Sequence, residues 1–282
     1  FLLAIVFVGL LLLRMAVKLG LMRRQVRHVQ ACRNEVPAAF AASIPLASHR
    51  RAADYTAARM RLAAVDTIAG TLFALVLTLG GGPQLLHDAW TGMLAPGGVA
   101  HGVALLASLM VLSWLLELPF VLVRTFGIEK RFGFNRMTPA LFAADTLREA
   151  ALGALIGLPL LAALLWLAMA MGAWWWLWVW AAWLGFNLLA MLVWPTFIAP
   201  LFNKFTPLAD EALKARVEAL LTRCGFRSQG LFVMDGSRRS AHGNAYFTGF
   251  GASKRIVFFD TLLDKLNAGE VEAVLAHELG HF

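Results

Sequence analysis

Long apolar runs, broken by basic and mixed segments, dominate this chain. Four are as long as a helix needs to cross a bilayer, near 62–79, 103–123, 150–171 and 173–194. A fifth, FLLAIVFVGLLLL, begins at residue 1 without a Met and reads as a span cut in its middle. Between the first two runs, 14–62 reads as amphipathic helix broken near Pro37 and Pro45, lying along the membrane surface. The connection 80–102 opens with GGGP and reads as a Gly/Pro-rich turn. Beyond Pro195 and Pro200 the pattern becomes that of a soluble domain. TPLADEALKARVEALLTRCG predicts an amphipathic helix starting at Thr206 and Pro207, with Leu213, Val217, Leu220 and Leu221 on one face and Gly225 as its stop. Three short β-type runs follow, 230–235, 244–250 and 255–259, the last two a hairpin across GASK. LNAGEVEAVLAHELGHF predicts a final helix with Asn267 as N-cap and Glu270 three residues on.

Composition agrees with the runs: 60% of the 282 residues are hydrophobic and 15% charged, a balance that gives a soluble chain too little polar surface. The net charge of +8 raises nucleic acid as a partner, but its distribution excludes that reading. All 25 Lys and Arg fall in 14–62, 124–148 and 200–282, while 80–102 and 172–173 hold none. That alternation is the positive-inside pattern, with the N-terminus outside and the tail in the cytoplasm. The Ala-, Leu- and Arg-rich composition suggests a bacterial inner membrane. Six of ten tryptophans crowd into 174–183, at the outer end of the last span, where Trp suits the headgroup layer. Cys32 and Cys224 both fall in cytoplasmic segments and predict reduced thiols rather than a disulfide. Glu117, in SWLLELPF, either faces a polar chamber or is solvated near a helix break at Pro119. Asn187 predicts an interhelical hydrogen bond.

In HELGH, His277 and His281 are four apart and share a helix face, a spacing at which two imidazoles can hold one zinc ion. Glu278 points about 100° away from His277, placed as a general base rather than a ligand. Zinc there would polarise a peptide carbonyl and acidify a bound water. The surrounding Val271, Val274, Leu275 and Leu279 make uncompensated polar residues costly, and Gly280 suggests close approach by a neighbouring segment. Structural histidines remain the alternative at this point. NAYFTGF could be an edge strand on which an extended peptide pairs, with Asn244 and Tyr246 as substrate contacts, or an ordinary core hairpin.

FNKFTPL (202–208), DGSRRSAHGNAYFTGFG (235–251), KRIVFFDTLL (254–263) and HELGH, in that order, resemble the integral-membrane zinc metalloproteases typified by the CAAX prenyl protease that matures yeast a-factor and prelamin A. IEKRFGFN (128–135) is similar to that family as well. The resemblance implies a mainly α, polytopic membrane helical bundle, with five spans present and the first truncated, plus a small cytoplasmic α+β zinc-metalloprotease domain. The expected division is 1–200 for the membrane region, with cytoplasmic loops 14–62 and 124–148, and 201–282 for the protease domain. The resemblance also implies seven spans around a water-filled chamber and one Zn2+ held by His277 and His281. Glu278 is then the general base, Asn244 a substrate contact, and a downstream Glu beyond residue 282 the third ligand. Neither Asp260 nor Glu270 stands out as a substitute. The implied function is membrane-embedded zinc endopeptidase of membrane-associated or CAAX-type proteins, with peptide substrate and bilayer as partners. A heat-shock-type quality-control protease and a non-catalytic membrane scaffold are the alternatives.

Overall fold

The structure, a computed structural model, describes residues 2–226, 228–248 and 254–280. Among the described residues five helices are long and apolar enough to cross a membrane: Leu2–Ala31, Leu46–Leu79, Val99–Glu129, Pro139–Ala170 and Gly172–Leu201. The protein is therefore an integral membrane protein, mainly α, as its apolar runs imply. Each helix outlasts its apolar run. Thirty residues of helix measure about 45 Å, against about 30 Å of hydrocarbon, so charged ends project beyond the apolar layer. The chain divides into two compact units, Phe1–Gly133 and Phe134–Phe282.

In the first unit α1 (Leu2–Ala31) and α2 (Leu46–Leu79) pack against each other as a hairpin. Segment 14–62 is thus not a separate surface helix. Its two halves continue the spans on either side, because Arg and Lys keep a helix going where hydropathy stops. The break falls where Pro37 and Pro45 place it, and Pro45 is the N-cap of α2. Both nitrogens of a fork on Arg33, Nε and Nη2, donate to Asp54 at 2.8 Å across the connection. The GGGP segment is not simply a turn either: Gly81, at φ 76°, starts a ten-residue helix α3 (Gly82–Thr91). α3 packs on α4 (Val99–Leu122), where Trp90 Nε1 donates to Ser108 Oγ at 3.0 Å. A wide π-type turn, Val123–Glu129, follows α4. Its Glu129 accepts from Tyr55 Oη at 2.6 Å, and Arg51 Nη2 donates to the Phe132 carbonyl at 2.6 Å. Glu117 lies on the exposed side of α4, two residues before Pro119.

In the second unit α5 (Pro139–Leu152) and α6 (Leu158–Ala170) are joined by a π turn, Gly153–Gly157, which ends two residues before Pro159. α7 (Trp175–Val193) passes into another π turn, Trp194–Ile198, at Pro195. A proline ring clashes with the carbonyl four residues back, and a wider turn relieves it. All six clustered tryptophans are exposed. Among the described residues Asn187 bonds within its own helix rather than across helices: its Nδ2 donates to the Trp183 carbonyl one turn back, at 2.7 Å. The two cysteines are free and exposed.

The chain then forms β1 (Phe205–Pro207), α8 (Glu211–Arg223), β2 (Leu231–Met234), β3 (Ala245–Thr248), β4 (Arg255–Phe259), α9 (Asp260–Leu263) and α10 (Ala268–Leu279). Thr206 and Pro207 therefore do not start α8. They sit in the edge strand β1, where a missing N–H costs little. Asp210 caps α8 instead, its carboxylate accepting from Leu213 N at 3.0 Å. Gly225 ends the helix at φ 66° as expected. The sheet order is β1-β2-β4-β3, with β2 and β4 parallel and the other pairs antiparallel. One face of the sheet, through Leu231, Ala245, Ile256 and Phe258, packs on Val217 of α8 and on Val271 and Leu275 of α10. Val217, Ile256, Phe258 and Leu275 are fully buried. At about 1.5–3 kcal/mol for each large side chain, this small core is enough to hold α10 in a fixed pose against the sheet.

Candidate metalloprotease site

α10 carries the histidine motif, and its local sequence explains its pose. Asn267 Oδ1 accepts from Gly269 N and Glu270 N at 3.0 Å, and Glu270 Oε2 accepts from Asn267 N at 2.8 Å, completing the expected capping box. Val271 and Leu275 turn into the core, with Leu279 packed against it. The helical repeat consequently puts His277 on the exposed side, while Glu278 is half-buried. His281, the other expected ligand, lies outside the described residues. Gly280 meets no neighbouring segment among the described residues. A Cβ there would come nearest its own helix, 3.2 Å from the His277 carbonyl oxygen.

The strand β3 runs at the sheet edge beside α10. Its partner is β4, in the register Ala245↔Phe258, Tyr246↔Val257 and Phe247↔Ile256. The Phe259 N–H donates to the Asn244 carbonyl at 2.9 Å, which fixes the hydrogen-bonding alternation. Tyr246 then turns its backbone groups toward β4, and Ala245 and Phe247 turn theirs the other way, the Ala245 N–H donating to Asn244 Oδ1 at 2.9 Å. Asn244 is exposed at the head of the strand. The Tyr246 ring lies on the sheet face away from α10, edge-on to Phe259, with its hydroxyl 3.9 Å from Met234 Sδ. Burial pushes its phenol above the usual range.

The segments that carried the family resemblance meet around the loop leading into β3. Thr261 Oγ1 donates to the His242 carbonyl at 2.8 Å, and Lys265 Nζ donates to the Ala241 carbonyl. A Cβ on Gly243 would stand 3.1 Å from Leu262 Cα, so glycine lets the loop lie this close to α9 without pushing on its backbone. KRIVFFDTLL thus supplies both the strand paired with HGNAYF and the helix that anchors its loop. Phe134 stacks on His242 at 4.2 Å between ring centroids, and its carbonyl accepts from Ala241 N at 2.8 Å. That contact brings the end of IEKRFGFN to the same loop.

Sequence reasoning missed the most connected group in this region. Arg239 donates through Nε to Asp145 Oδ2 at 2.8 Å, through Nη1 to Asn203 Oδ1 at 2.8 Å, and through Nη2 to the Phe202 carbonyl at 2.7 Å. One guanidinium thereby ties α5, the approach to β1 and the loop before Asn244. The available signal was Asp145 itself, a carboxylate in the otherwise apolar ALFAADTL. Asp260 is no free ligand: Ser237 N donates to its Oδ1 at 2.8 Å, and Ser237 Oγ donates to its Oδ2. Glu270 is occupied by the capping box.

Among the described residues no group of three or more His, Cys, Asp or Glu is placed to hold a metal ion. The exposed His277 imidazole nevertheless fits a metal held at the surface of α10, with the Glu278 carboxylate beside it.

A helical membrane region joined to a small mixed sheet, with an H-E-x-x-H helix packed beneath its edge strand, defines a membrane metallopeptidase architecture. Residues 25–204 match the family model for the CAAX prenyl protease N-terminal region of five membrane helices, and residues 207–282 match peptidase family M48. The chain belongs to the CAAX prenyl protease family within the M48 metallopeptidases, a family that implies a metal, normally zinc. It is 42% identical over 185 residues to CAAX prenyl protease 1 homolog of Arabidopsis thaliana, covering 65% of this chain and 44% of that protein. With CAAX prenyl protease 1 of Saccharomyces cerevisiae it shares 42% over 185 residues, covering 65% and 41%. The crystal structure of S. mikatae Ste24p superposes with a TM-score of 0.87 at 33% identity, covering 97% of this chain and 64% of that one. The chain spans about half the length of most of the curated relatives it matches, for example 44%, 45% and 41%.

Proposed function

We propose that the complete protein is a membrane-embedded zinc metalloendopeptidase that cleaves membrane-associated or CAAX-type proteins. The observation that carries this reading is α10: a capped, core-anchored helix holding His277 at the surface and Glu278 beside it, next to the edge strand β3. Names of relatives that are CAAX prenyl proteases support the substrate class. His277 and His281 hold the metal, which supplies a Lewis acid and an activated water when bound. Glu278 takes the proton from the attacking water and passes it to the leaving amine. The substrate lies extended along the outer side of β3. Asn244 holds a substrate carbonyl or carboxylate, and Tyr246 lies beside a peptide side chain on the far face of the sheet. A division into a membrane region over 1–200 and a protease domain over 201–282 is supported by the two family models, which match 25–204 and 207–282. Positive charge confined to alternate connections supports a cytoplasm-facing protease domain and an N-terminus outside. The composition suits a bacterial inner membrane.

The test is cleavage of a farnesylated CAAX peptide by the complete protein, with Glu278→Gln as comparison. Glu278→Gln retains zinc and loses turnover on this reading. Turnover at the wild-type rate overturns the general-base assignment.

A further inference from the structure

A cleft of about 190 Å³ lies between the end of the last span and the sheet face that turns away from α10. Trp194, Pro195 and Ala199 line one side; Phe232, Tyr246 and Val257 line the other. An apolar cavity of about 150 Å³ is enough to take up benzene, so this volume accepts several methylene groups. Its polar groups are those of Thr196, Thr248 and Arg255 and the Tyr246 hydroxyl. Thr248 and Arg255 are cross-strand partners, and Thr196 adds a hydroxyl from the helix side. Among the described residues Arg255 is the one charged residue lining the cleft. Among the described residues no carboxylate pairs with it, and its guanidinium stands 5.6 Å from the centre of the Phe232 ring.

The depth of the cleft follows from the span that forms it. Trp194 comes twenty residues after Trp174, the first of the clustered tryptophans. Twenty residues of helix rise about 30 Å, one hydrocarbon thickness. The two tryptophans are therefore spaced as the two headgroup layers are, the positions that Trp favours. With Trp174 at one headgroup layer, the cleft beside Trp194 falls at the other, where phospholipid phosphates stand over acyl chains.

We propose that this cleft binds one anionic phospholipid of the surrounding bilayer. The phosphodiester sits on Arg255, with Thr248 or Thr196 donating to it, and the first acyl methylenes lie among Trp194, Phe232, Tyr246 and Val257. Arginine suits this task because its planar fork meets two phosphate oxygens at once. The apolar wall selects a lipid over a small anion. Such a lipid would brace the last span against the sheet without touching His277 or Glu278; it shares Tyr246 with the proposed peptide path, and the variants below leave Tyr246 in place.

The experiment measures thermal unfolding of the complete protein in phosphatidylcholine nanodiscs as phosphatidylglycerol is titrated in. Phosphatidylglycerol is expected to raise Tm saturably. Arg255→Gln is expected to weaken that binding about tenfold, the loss of one charge-assisted contact, and Arg255→Lys to weaken it less. Ala199→Leu, which fills the cleft and leaves Arg255 in place, is expected to remove the effect as well. In phosphatidylcholine alone all three variants keep the wild-type Tm within a few degrees; a variant that does not is set aside for the others. An unchanged phosphatidylglycerol response in Arg255→Gln or in Ala199→Leu overturns the proposal. A response that inorganic phosphate or glycerol phosphate reproduces overturns it in favour of a small-anion site.

Discussion

Replacing Asp145 by Ala would test whether the Arg239 clamp holds the loop before the edge strand. Asp145 and Arg239 are 8% and 19% exposed in their side chains, so the substitution leaves a largely buried guanidinium without its carboxylate. Removing one partner of a buried pair costs about 3–5 kcal/mol. Here Arg239 keeps its bonds to Asn203 and to the Phe202 carbonyl, which places the expected cost at the low end, about 3 kcal/mol. The second pair of Asp145, with Arg148, is half-exposed and adds little. A domain of this size loses about 2–4 °C in Tm for each kcal/mol, so the expected drop is about 10 °C. Differential scanning fluorimetry in detergent reads that shift. Hydrogen exchange reads its location: the Ala241 amide, bonded to the Phe134 carbonyl, should exchange faster while amides of α8 do not. Asp145→Asn, which keeps an acceptor for Arg239 Nε, should lose less. A Tm within about 2 °C of wild type, with Ala241 protection unchanged, would refute the clamp.

Gly243→Ala should be harmful despite its small size, because the new Cβ meets backbone at Leu262 rather than a movable side-chain end. We expect a loss of about 1–2 kcal/mol by chemical denaturation and reduced peptide cleavage; wild-type behaviour in both would show that the loop yields freely. Asn267→Ala removes the cap of α10 and should cost about 1 kcal/mol in the same assay, a result that no change in midpoint would contradict. Tyr246 has its phenol pushed up by burial, so the stabilising effect of keeping it neutral is present at neutral pH and is lost as pH rises through the raised pKa. An absorbance difference between wild type and Tyr246→Phe should show phenolate appearing only above the ordinary value of about 10; ionisation at or below that value would contradict the burial.

Much of the membrane region was legible because a bilayer leaves few options: an apolar run of sufficient length has to satisfy its own backbone, and helix does so. What hydropathy hid was where the helices end. Arg14 and the basic residues after it stop the apolar run but not the hydrogen-bond ladder, so α1 continues to Ala31. Asn187 shows the same blindness to partners, since sequence cannot distinguish a bond across helices from one to its own turn. The protease helix was readable almost residue by residue, because Asn267, Glu270, Val271 and Leu275 act within one helix and its core face. The meeting of Gly243 with Leu262, and of Arg239 with Asp145, was not. Those contacts join residues 19 and 94 positions apart or span similar gaps, and nothing periodic marks them. β1 was missed for a related reason: Thr206-Pro207 is a sound helix start in isolation, and only its pairing with Val233 and Phe232 makes it a strand.

The central claim is that α10 presents a metal site, and zinc stoichiometry of the complete protein tests it most directly. Elemental analysis of wild type, His277→Ala and Glu278→Gln, purified side by side, should give one zinc per chain for wild type and for Glu278→Gln. His277→Ala should hold little or none, since removing a ligand empties the site whereas removing the general base does not. Equal zinc in His277→Ala and wild type would contradict the account.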